Sequence, residues 1–309
     1  MPELPEVQRA VDIVNRVGAG KQISDIQTFE DSIVFAGVTH LDFASEVKGR
    51  TFRKAHRYGK VFYLELEGKG RMPVLHFGMT GMIQIKGESA VYYREGPKDT
   101  STDVWPPRYV KFILHLTDPI SDSVCELAFL DARRLAHIRL CASPMTEPPI
   151  SELGFDPLLS MPRPEDFVPL VRKRSCPIKA LLLDQSFSAG VGNWVADEIL
   201  YHSRIHPEQR CHTLSDAQLE ALYFNIVNVC QIAVSVDANH ELFPDDFLFK
   251  HRWGKGKKAK PTLKLPSGEL ATIKWITVGG RTSAYIEELQ LLPSPALQED
   301  TNPETSVRI

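Results

Sequence analysis

The chain has 309 residues, of which 43% are hydrophobic and 24% are charged. This composition excludes a protein that is mainly disordered, and the length suffices for one large domain or two of average size. The formal net charge of −3 favours no class of partner, although residues 250–264 hold seven basic side chains and no acidic one, so one cationic segment stands in an otherwise acidic protein.

A helix is the first predicted element, because Pro5 suits a first helical turn and apolar residues then recur at helical spacing. These residues are Val7, Val11, Val14 and Val17. Short runs rich in β-branched and aromatic residues follow, and they predict strands at residues 60–66, 74–77, 82–85, 109–116 and 124–130. Their number and spacing are typical of a β-sandwich, here with an N-terminal helix.

Helical periodicity takes over beyond a proline-rich stretch. Helices are predicted over residues 167–173, 178–184, 194–202 and 214–236. The last of them begins with Ser215 and Gln218 at the spacing of a capping box. Two strand-like runs, residues 272–278 and 284–289, flank a Gly279-Gly280 turn and predict a hairpin.

Membrane and metal signals are missing from the sequence. No run approaches the ~20 apolar residues of a membrane-spanning helix, and the first residues lack the cationic and apolar segments of a secretory signal. We therefore expect an intracellular protein. The five cysteines lie far apart and form no C-x-x-C pair, and the sequence has no H-E-x-x-H unit, so we expect reduced thiols and no bound metal.

The N-terminal residues suggest a nucleophile. If Met1 is removed, Pro2 exposes a secondary amine; an α-amino group is about 10% neutral at pH 7, against about 0.04% for a lysine, so it forms a Schiff base more readily. Glu3 and Glu6 are three residues apart, which places both carboxylates on one helix face beside that amine. The alternative is that both only complement the helix dipole. If Met1 is retained, the nitrogen is an amide and this chemistry is lost.

Five motifs, the second of which combines two segments, resemble in chain order those of the formamidopyrimidine-DNA glycosylases, a family related to endonuclease VIII. They are PELPEV at 2–7, RYGK at 57–60 with HFGMTG at 76–81, DARRL at 131–135, GVGNWVADE at 190–198 and GGRT at 279–282. Bacterial members end in a four-cysteine zinc finger, whose cysteines are absent from the terminal hairpin of this sequence. The sequence therefore most resembles the zincless plant and fungal members.

The resemblance implies an α+β multidomain fold. The implied units are a catalytic β-sandwich with its N-terminal helix at 1–143, a linker at 144–163, a helix-two-turns-helix DNA-binding domain at 164–249, a basic loop at 250–271, a zincless-finger hairpin at 272–290 and a disordered tail at 291–309. DNA is expected in the cleft between the β-sandwich and the helical domain, with Pro2 at its floor.

Roles for individual residues also follow from the resemblance. Pro2 attacks C1′ of the deoxyribose, Glu3 assists opening of the sugar ring, and Glu6 positions the helix and the sugar. The phosphates around the flipped nucleotide are held by Lys60, His76, Asn193 and Arg281. Two of these, Lys60 and Arg281, also donate protons during strand cleavage. The gap left in the duplex is filled by Met79, Arg133 and Leu135, the last of which stands where the family more usually has phenylalanine.

The implied activity is that of a bifunctional DNA glycosylase and AP lyase of base excision repair, which needs no metal or organic cofactor. It removes oxidised purines, formamidopyrimidines and hydantoins above all, with 8-oxoguanine a poor substrate, and cleaves the strand by β,δ-elimination. The expected partner is double-stranded DNA containing oxidised bases or abasic sites, bound by a monomer.

Two alternatives stay open. One is an endonuclease VIII-like glycosylase for oxidised pyrimidines, against which Leu4 argues because that branch commonly has glycine there. The other is a catalytically silent protein that binds damaged DNA.

The cationic residues 250–260 have two functional interpretations and one structural one. They add non-specific phosphate contacts, or they form an import signal that makes the nucleus the expected location. The alternative is a solvated run of charges.

Overall fold

A computed structural model of the chain describes residues 2–88, 104–253 and 263–293. Its N-terminal part contains two four-stranded antiparallel sheets and the helices α1 (Leu4–Gly18) and α2 (His40–Val47). In chain order the strands are β1 (Gln22–Thr28), β2 (Phe52–Tyr58), β3 (Val61–Leu66), β4 (Met72–His76), β5 (Met82–Ile85), β6 (Val110–Thr117), β7 (Val124–Leu130) and β8 (His137–Cys141). The strand orders are β1-β6-β7-β5 and β2-β3-β4-β8, which confirms the predicted β-sandwich.

The core of the sandwich unites residues of both sheets with the valine face of α1. A row of phenylalanine rings runs through it, with neighbouring centroids 4.9, 5.6 and 5.3 Å apart, in the order Phe62, Phe77, Phe129 and Phe112. The valines of α1 are buried, as their spacing predicts. Leu4, in the first turn of α1, is buried instead among the helices of the C-terminal part. The helix therefore contributes to two cores.

Three strands and one helix were not predicted: β1, β2, β8 and α2. The sequences of β1 and β2, QISDIQT and FRKAHRY, contain more polar than apolar residues. Both are strands because they pair with β6 and β3 respectively, and such pairing overrides a weak intrinsic propensity. The short helix α2 begins where the Thr39 hydroxyl accepts a hydrogen bond from the Asp42 amide.

Among the described residues, the C-terminal part contains four α-helices and one hairpin. They are α3 (Pro164–Arg172), α4 (Ile178–Leu183), α5 (Asn193–His202), α6 (Asp216–Ser235), β9 (Ile273–Val278) and β10 (Arg281–Ile286). The predicted capping box is confirmed, because Ser215 and Gln218 each accept a hydrogen bond from the other's amide. The predicted hairpin is also confirmed, and both glycines of its turn have the positive φ that a two-residue turn of this kind requires.

The proline-rich stretch between the two parts is tied to the sandwich. A 3₁₀ helix, Ile150–Glu152, lies within it. Asp156 is fully buried, forms an ion pair with Arg57 of β2 and accepts a hydrogen bond of 2.7 Å from the Gly59 amide. These contacts hold the turn between β2 and β3 in place. The exact domain boundaries stay predictions.

Membrane-spanning helices and groups of metal ligands are both absent from the described residues. None of the helices in the described ranges combines the length and hydropathy that a bilayer crossing needs. In the same ranges, no three His, Cys, Asp or Glu side chains are grouped in a way that could hold a metal ion. Residues 254–262 of the predicted basic loop and residues 294–309 of the predicted tail lie outside the described residues.

Candidate active site

Three segments meet at the N-terminal end of α1: the start of the helix, the turn between β2 and β3, and the glycine-rich loop before α5. The Leu4 amide donates a hydrogen bond of 3.1 Å to the Gly190 carbonyl. A Cβ atom on Gly190 would lie 2.9 Å from Leu4 and 3.2 Å from the Cα of Gly59, and both glycines have positive φ. Glycine permits this close approach between the start of α1, beside which Pro2 is buried, and the loop before α5.

Glu3 links the two parts of the protein. It is 2% exposed, and its carboxylate accepts hydrogen bonds of 3.0 and 3.1 Å from the amides of Trp194 and Val195 in the first turn of α5. A Cβ on Gly192 would lie 2.2 Å from the carboxyl carbon of Glu3, so a larger residue there would displace the carboxylate. Glu3 thus caps a helix other than its own, which fixes an acidic group next to Pro2 in the chain.

Glu6 is buried behind Glu3. One of its oxygens accepts a hydrogen bond of 2.8 Å from the Glu3 amide and the other accepts one of 3.2 Å from the indole N–H of Trp194. Burial, followed by the charge of Glu3, raises the pKa of Glu6 from 4.5 to about 7. Glu6 therefore exchanges a proton near neutral pH, although its contacts are those of a positioning residue.

Replacing Glu6 with glutamine is expected to remove a pH dependence of stability. A carboxyl group whose pKa is raised by folding stabilises the fold in its protonated form; this contribution is complete below pH 4.5 and is lost as the pH rises through about 7. The shift corresponds to about 3 kcal/mol. Urea unfolding at acidic and at alkaline pH should show the wild type losing up to this amount relative to Glu6→Gln. A constant difference between the two proteins would contradict this ionisation.

Lys60 lies close enough to both carboxylates for their charges to interact. It is buried, and its ammonium group donates a hydrogen bond of 2.9 Å to the Val191 carbonyl. Burial lowers its pKa, and the charges of Glu3 and Glu6 partly oppose this shift. The side chain of Gln185 donates to the same carbonyl and accepts from the Gly190 amide. Sequence reasoning missed Gln185, since no motif includes it.

Asn193 joins the start of α5 to the hairpin that carries Arg281. The side-chain amide of Asn193 donates a hydrogen bond of 2.9 Å to the Thr282 carbonyl, whereas its oxygen is buried without a partner among the described residues. Arg281 opens β10 and is exposed. The charge of Arg281 acts on Lys60, so the two cations that the resemblance assigns to phosphates share one region.

His76 ends β4 near Lys60. Its Nδ1 accepts a hydrogen bond of 3.1 Å from the Gly78 amide. Burial, and then the charges of Lys60 and His137, lower the pKa of His76 to about 4. The ring is therefore neutral at pH 7, and its Nε2–H is the donor that remains for a ligand.

The two loops predicted to enter the duplex lie against each other. A Cβ on Gly78 would lie 2.1 Å from the Leu135 carbonyl oxygen. Asp131 accepts hydrogen bonds from the Thr80 hydroxyl and from the Leu135 amide, both of 2.7 Å, and so ties the loops together. Of the predicted filling residues, Met79 is half-buried, whereas Arg133 and Leu135 are exposed. The structure thus brings these three positions to adjoining loops; their insertion into DNA stays a prediction.

A buried acidic residue that sequence reasoning left without a role holds the hairpin to α5. Asp197 forms ion pairs with Lys179 of α4 and, over 2.5 Å, with Arg252, and it accepts a hydrogen bond of 3.1 Å from the Ala284 amide of β10. The sequence signal that could have indicated a role for Asp197 was its position inside the GVGNWVADE segment. These contacts fix the hairpin through buried charge.

The chain matches known proteins along most of its length. Residues 1–138 match the family model of the formamidopyrimidine-DNA glycosylase N-terminal domain, and residues 153–252 match that of the formamidopyrimidine-DNA glycosylase H2TH domain. The formamidopyrimidine-DNA glycosylase of Arabidopsis thaliana is 41% identical over 292 residues, which cover 94% of this chain and 71% of the relative. That of Bacillus subtilis is 25% identical over 299 residues, covering 94% and 99% respectively.

Solved structures share the fold. The complex of Lactococcus lactis Fpg with DNA containing an abasic site superposes with a TM-score of 0.74 at 21% identity, covering 94% of this chain and 99% of that chain. A complex of an LlFpg mutant with THF-containing DNA gives a TM-score of 0.73 at 22% identity, with the same coverage. Taken with the two family models and the plant relative, this shows that the chain belongs to the formamidopyrimidine-DNA glycosylase family and is a DNA glycosylase of base excision repair.

Proposed function

We propose that this protein excises oxidised purines, formamidopyrimidines and hydantoins above all, from duplex DNA and then cleaves the abasic strand. The observation that carries the proposal is the buried cluster of Glu3, Glu6 and Lys60 around the start of the chain at Pro2. Burying several ionisable groups costs free energy, and groups with shifted pKa values concentrate at sites of chemistry. The cluster therefore supports proton transfer close to an N-terminal nucleophile.

The proposed reaction begins when the unprotonated nitrogen of Pro2 attacks C1′ of the extruded nucleotide. Glu3 assists opening of the sugar ring, and the bond between C1′ and the damaged base breaks. The resulting protonated Schiff base acidifies the C2′ proton, so that β-elimination cleaves the strand on the 3′ side and δ-elimination on the 5′ side. Lys60 and Arg281 supply protons in these steps. His76 and Asn193 hold phosphates through N–H donors.

Borohydride trapping tests this proposal. Protein that begins at Pro2 is incubated with a duplex containing one abasic site and with sodium borohydride, and the product is read by intact mass and peptide mapping. We expect a covalent adduct on the N-terminal residue. Tight binding without an adduct would instead support the silent DNA-binding alternative. Single-turnover excision of a hydantoin and of an oxidised pyrimidine then separates the purine specificity from that of endonuclease VIII.

We also propose that the protein acts in the nucleus, with the cationic residues 250–260 as its import signal and as an additional phosphate-binding segment. The support is the density of basic residues, since most of this segment lies outside the described residues. Deleting residues 254–260 is expected to shift a fluorescently tagged protein towards the cytoplasm and to flatten the salt dependence of DNA binding. An unchanged distribution together with an unchanged salt dependence would eliminate both roles.

A further inference from the structure

A row of side chains with N–H donors continues from His76 across the outer face of the second sheet. His76 pairs with His137 and Val74 pairs with Arg139 in the antiparallel ladder of β4 and β8. Residues two apart on a strand share a face, so all four side chains lie on one face of the sheet. The two histidine rings are stacked with centroids 6.1 Å apart.

This row borders a cavity with an apolar floor. Val61 and Val74 line it from the sheet, and Pro149 and Leu153 line it from the proline-rich stretch. His76, His137 and Arg139 line the remaining side, and none of the lining residues is acidic. Within the described parts of the chain, the guanidinium group of Arg139 forms no hydrogen bond or ion pair, and the residue is half-buried.

No carboxylate of the described residues neutralises the guanidinium group of Arg139, although the residue lines the cavity. Its charge also helps to lower the pKa of His76 and of His137. An anion bound in the cavity would form an ion pair with this guanidinium group. The apolar floor suits a ligand whose anionic group is joined to an uncharged body, as in the sugar-phosphate unit of a nucleic acid strand.

We propose that this cavity binds one more sugar-phosphate unit of the damaged DNA strand, with Arg139 and His137 holding the phosphate and the apolar floor packing against the deoxyribose. The site adjoins His76 in the ladder of β4 and β8, and so lies beside the groups proposed to hold phosphates. This inference rests on the proposed function, because it takes the strand at His76 to be the damaged one.

The first test compares equilibrium binding of wild type and Arg139→Ala to a duplex with one tetrahydrofuran abasic analogue at several salt concentrations. We expect Arg139→Ala to bind about three- to tenfold more weakly, with a salt slope smaller by about one, because one phosphate contact is lost. Arg163→Ala is the matched control, since its guanidinium group is exposed and paired with Glu165 and Asp166 at the start of α3. It should bind like the wild type.

The second test identifies the phosphate. Methylphosphonate, which is uncharged, replaces one phosphate of the damaged strand at a time. At one position, the replacement should weaken wild type and Arg139→Lys but have no further effect on Arg139→Ala. Equal affinities and salt slopes for wild type and Arg139→Ala would overturn the proposal. A scan in which every replacement weakens both proteins alike would overturn it as well, because the cavity would then bind free anions and not the DNA strand. Failure of the wild type to form a trapped adduct would count against the proposed function and leave this scan interpretable.

Discussion

A protein carrying one additional residue before Pro2 is expected to give at least about a hundredfold less borohydride-trapped adduct than the protein that begins at Pro2. The extra residue converts the nitrogen of Pro2 into an amide, which does not attack a sugar carbon. The added residue has an α-amino group of its own, but that nitrogen is displaced by about one residue from the position that the Pro2 nitrogen occupies, and nucleophilic attack depends on this position. The chain also offers lysines, but an ordinary lysine is neutral some two hundred times less often at pH 7 than an α-amino group. Intact mass after trapping on an abasic duplex measures the difference.

Two comparisons make this experiment decisive. Pro2→Gly keeps a free amine at the terminus and should retain trapping, although at a different rate. The competing nucleophile is Lys60, whose pKa burial lowers and which lies close to Glu3. Peptide mapping distinguishes the two nitrogens. If the extended protein were trapped as well as the native one, or if the adduct mapped to Lys60, the assignment of Pro2 as the nucleophile would be wrong.

Asp197→Asn is expected to cost about 3 kcal/mol of the free energy of unfolding. The substitution leaves the buried cations Lys179 and Arg252 without their counter-charge, and breaking a buried ion pair on one side typically costs about 3–5 kcal/mol. Burial already lowers the pKa of Lys179, so this group can lose its proton and limit the cost. Urea unfolding at neutral pH measures the change.

The matched control is Asp216→Asn. Asp216 also pairs with an arginine, Arg172, but its side chain is 90% exposed. An exposed pair contributes about 0–1 kcal/mol, so this variant should unfold close to the wild type. Equal effects of the two substitutions would show that the buried charges around Asp197 do not hold the hairpin to α5.

Local sequence patterns predicted those elements whose defining residues are close together in the chain. The valine spacing of α1, the capping box of α6 and the two-glycine turn of the hairpin all appear in the structure as predicted. In each case the residues that define the element lie within a few positions of one another. A polar strand such as β2 carries no such signal, because its conformation depends on pairing with β3.

In the candidate site, too, some features were predictable from the sequence and others were visible only in the structure. The motifs identified Glu3, Lys60, Asn193 and Arg281 as residues of one family, and the structure brings them into one region. No motif indicated that Glu3 caps α5, since its partners lie about 190 positions away in the sequence. Gln185, which orients the carbonyl that Lys60 contacts, is likewise recognisable only from its neighbours in space.

The sequence by itself determined the family, the two-part architecture and the chemistry expected of Pro2 and Glu3. The tertiary structure alone decided how these groups are held: through the close approach of Gly59 and Gly190, and through the buried charges around Asp197. The physical reason is that a sequence pattern reports which face of an element is apolar and which residue types are present. It does not report the partner across a domain interface, and that partner sets the burial, and hence the pKa, of each ionisable group.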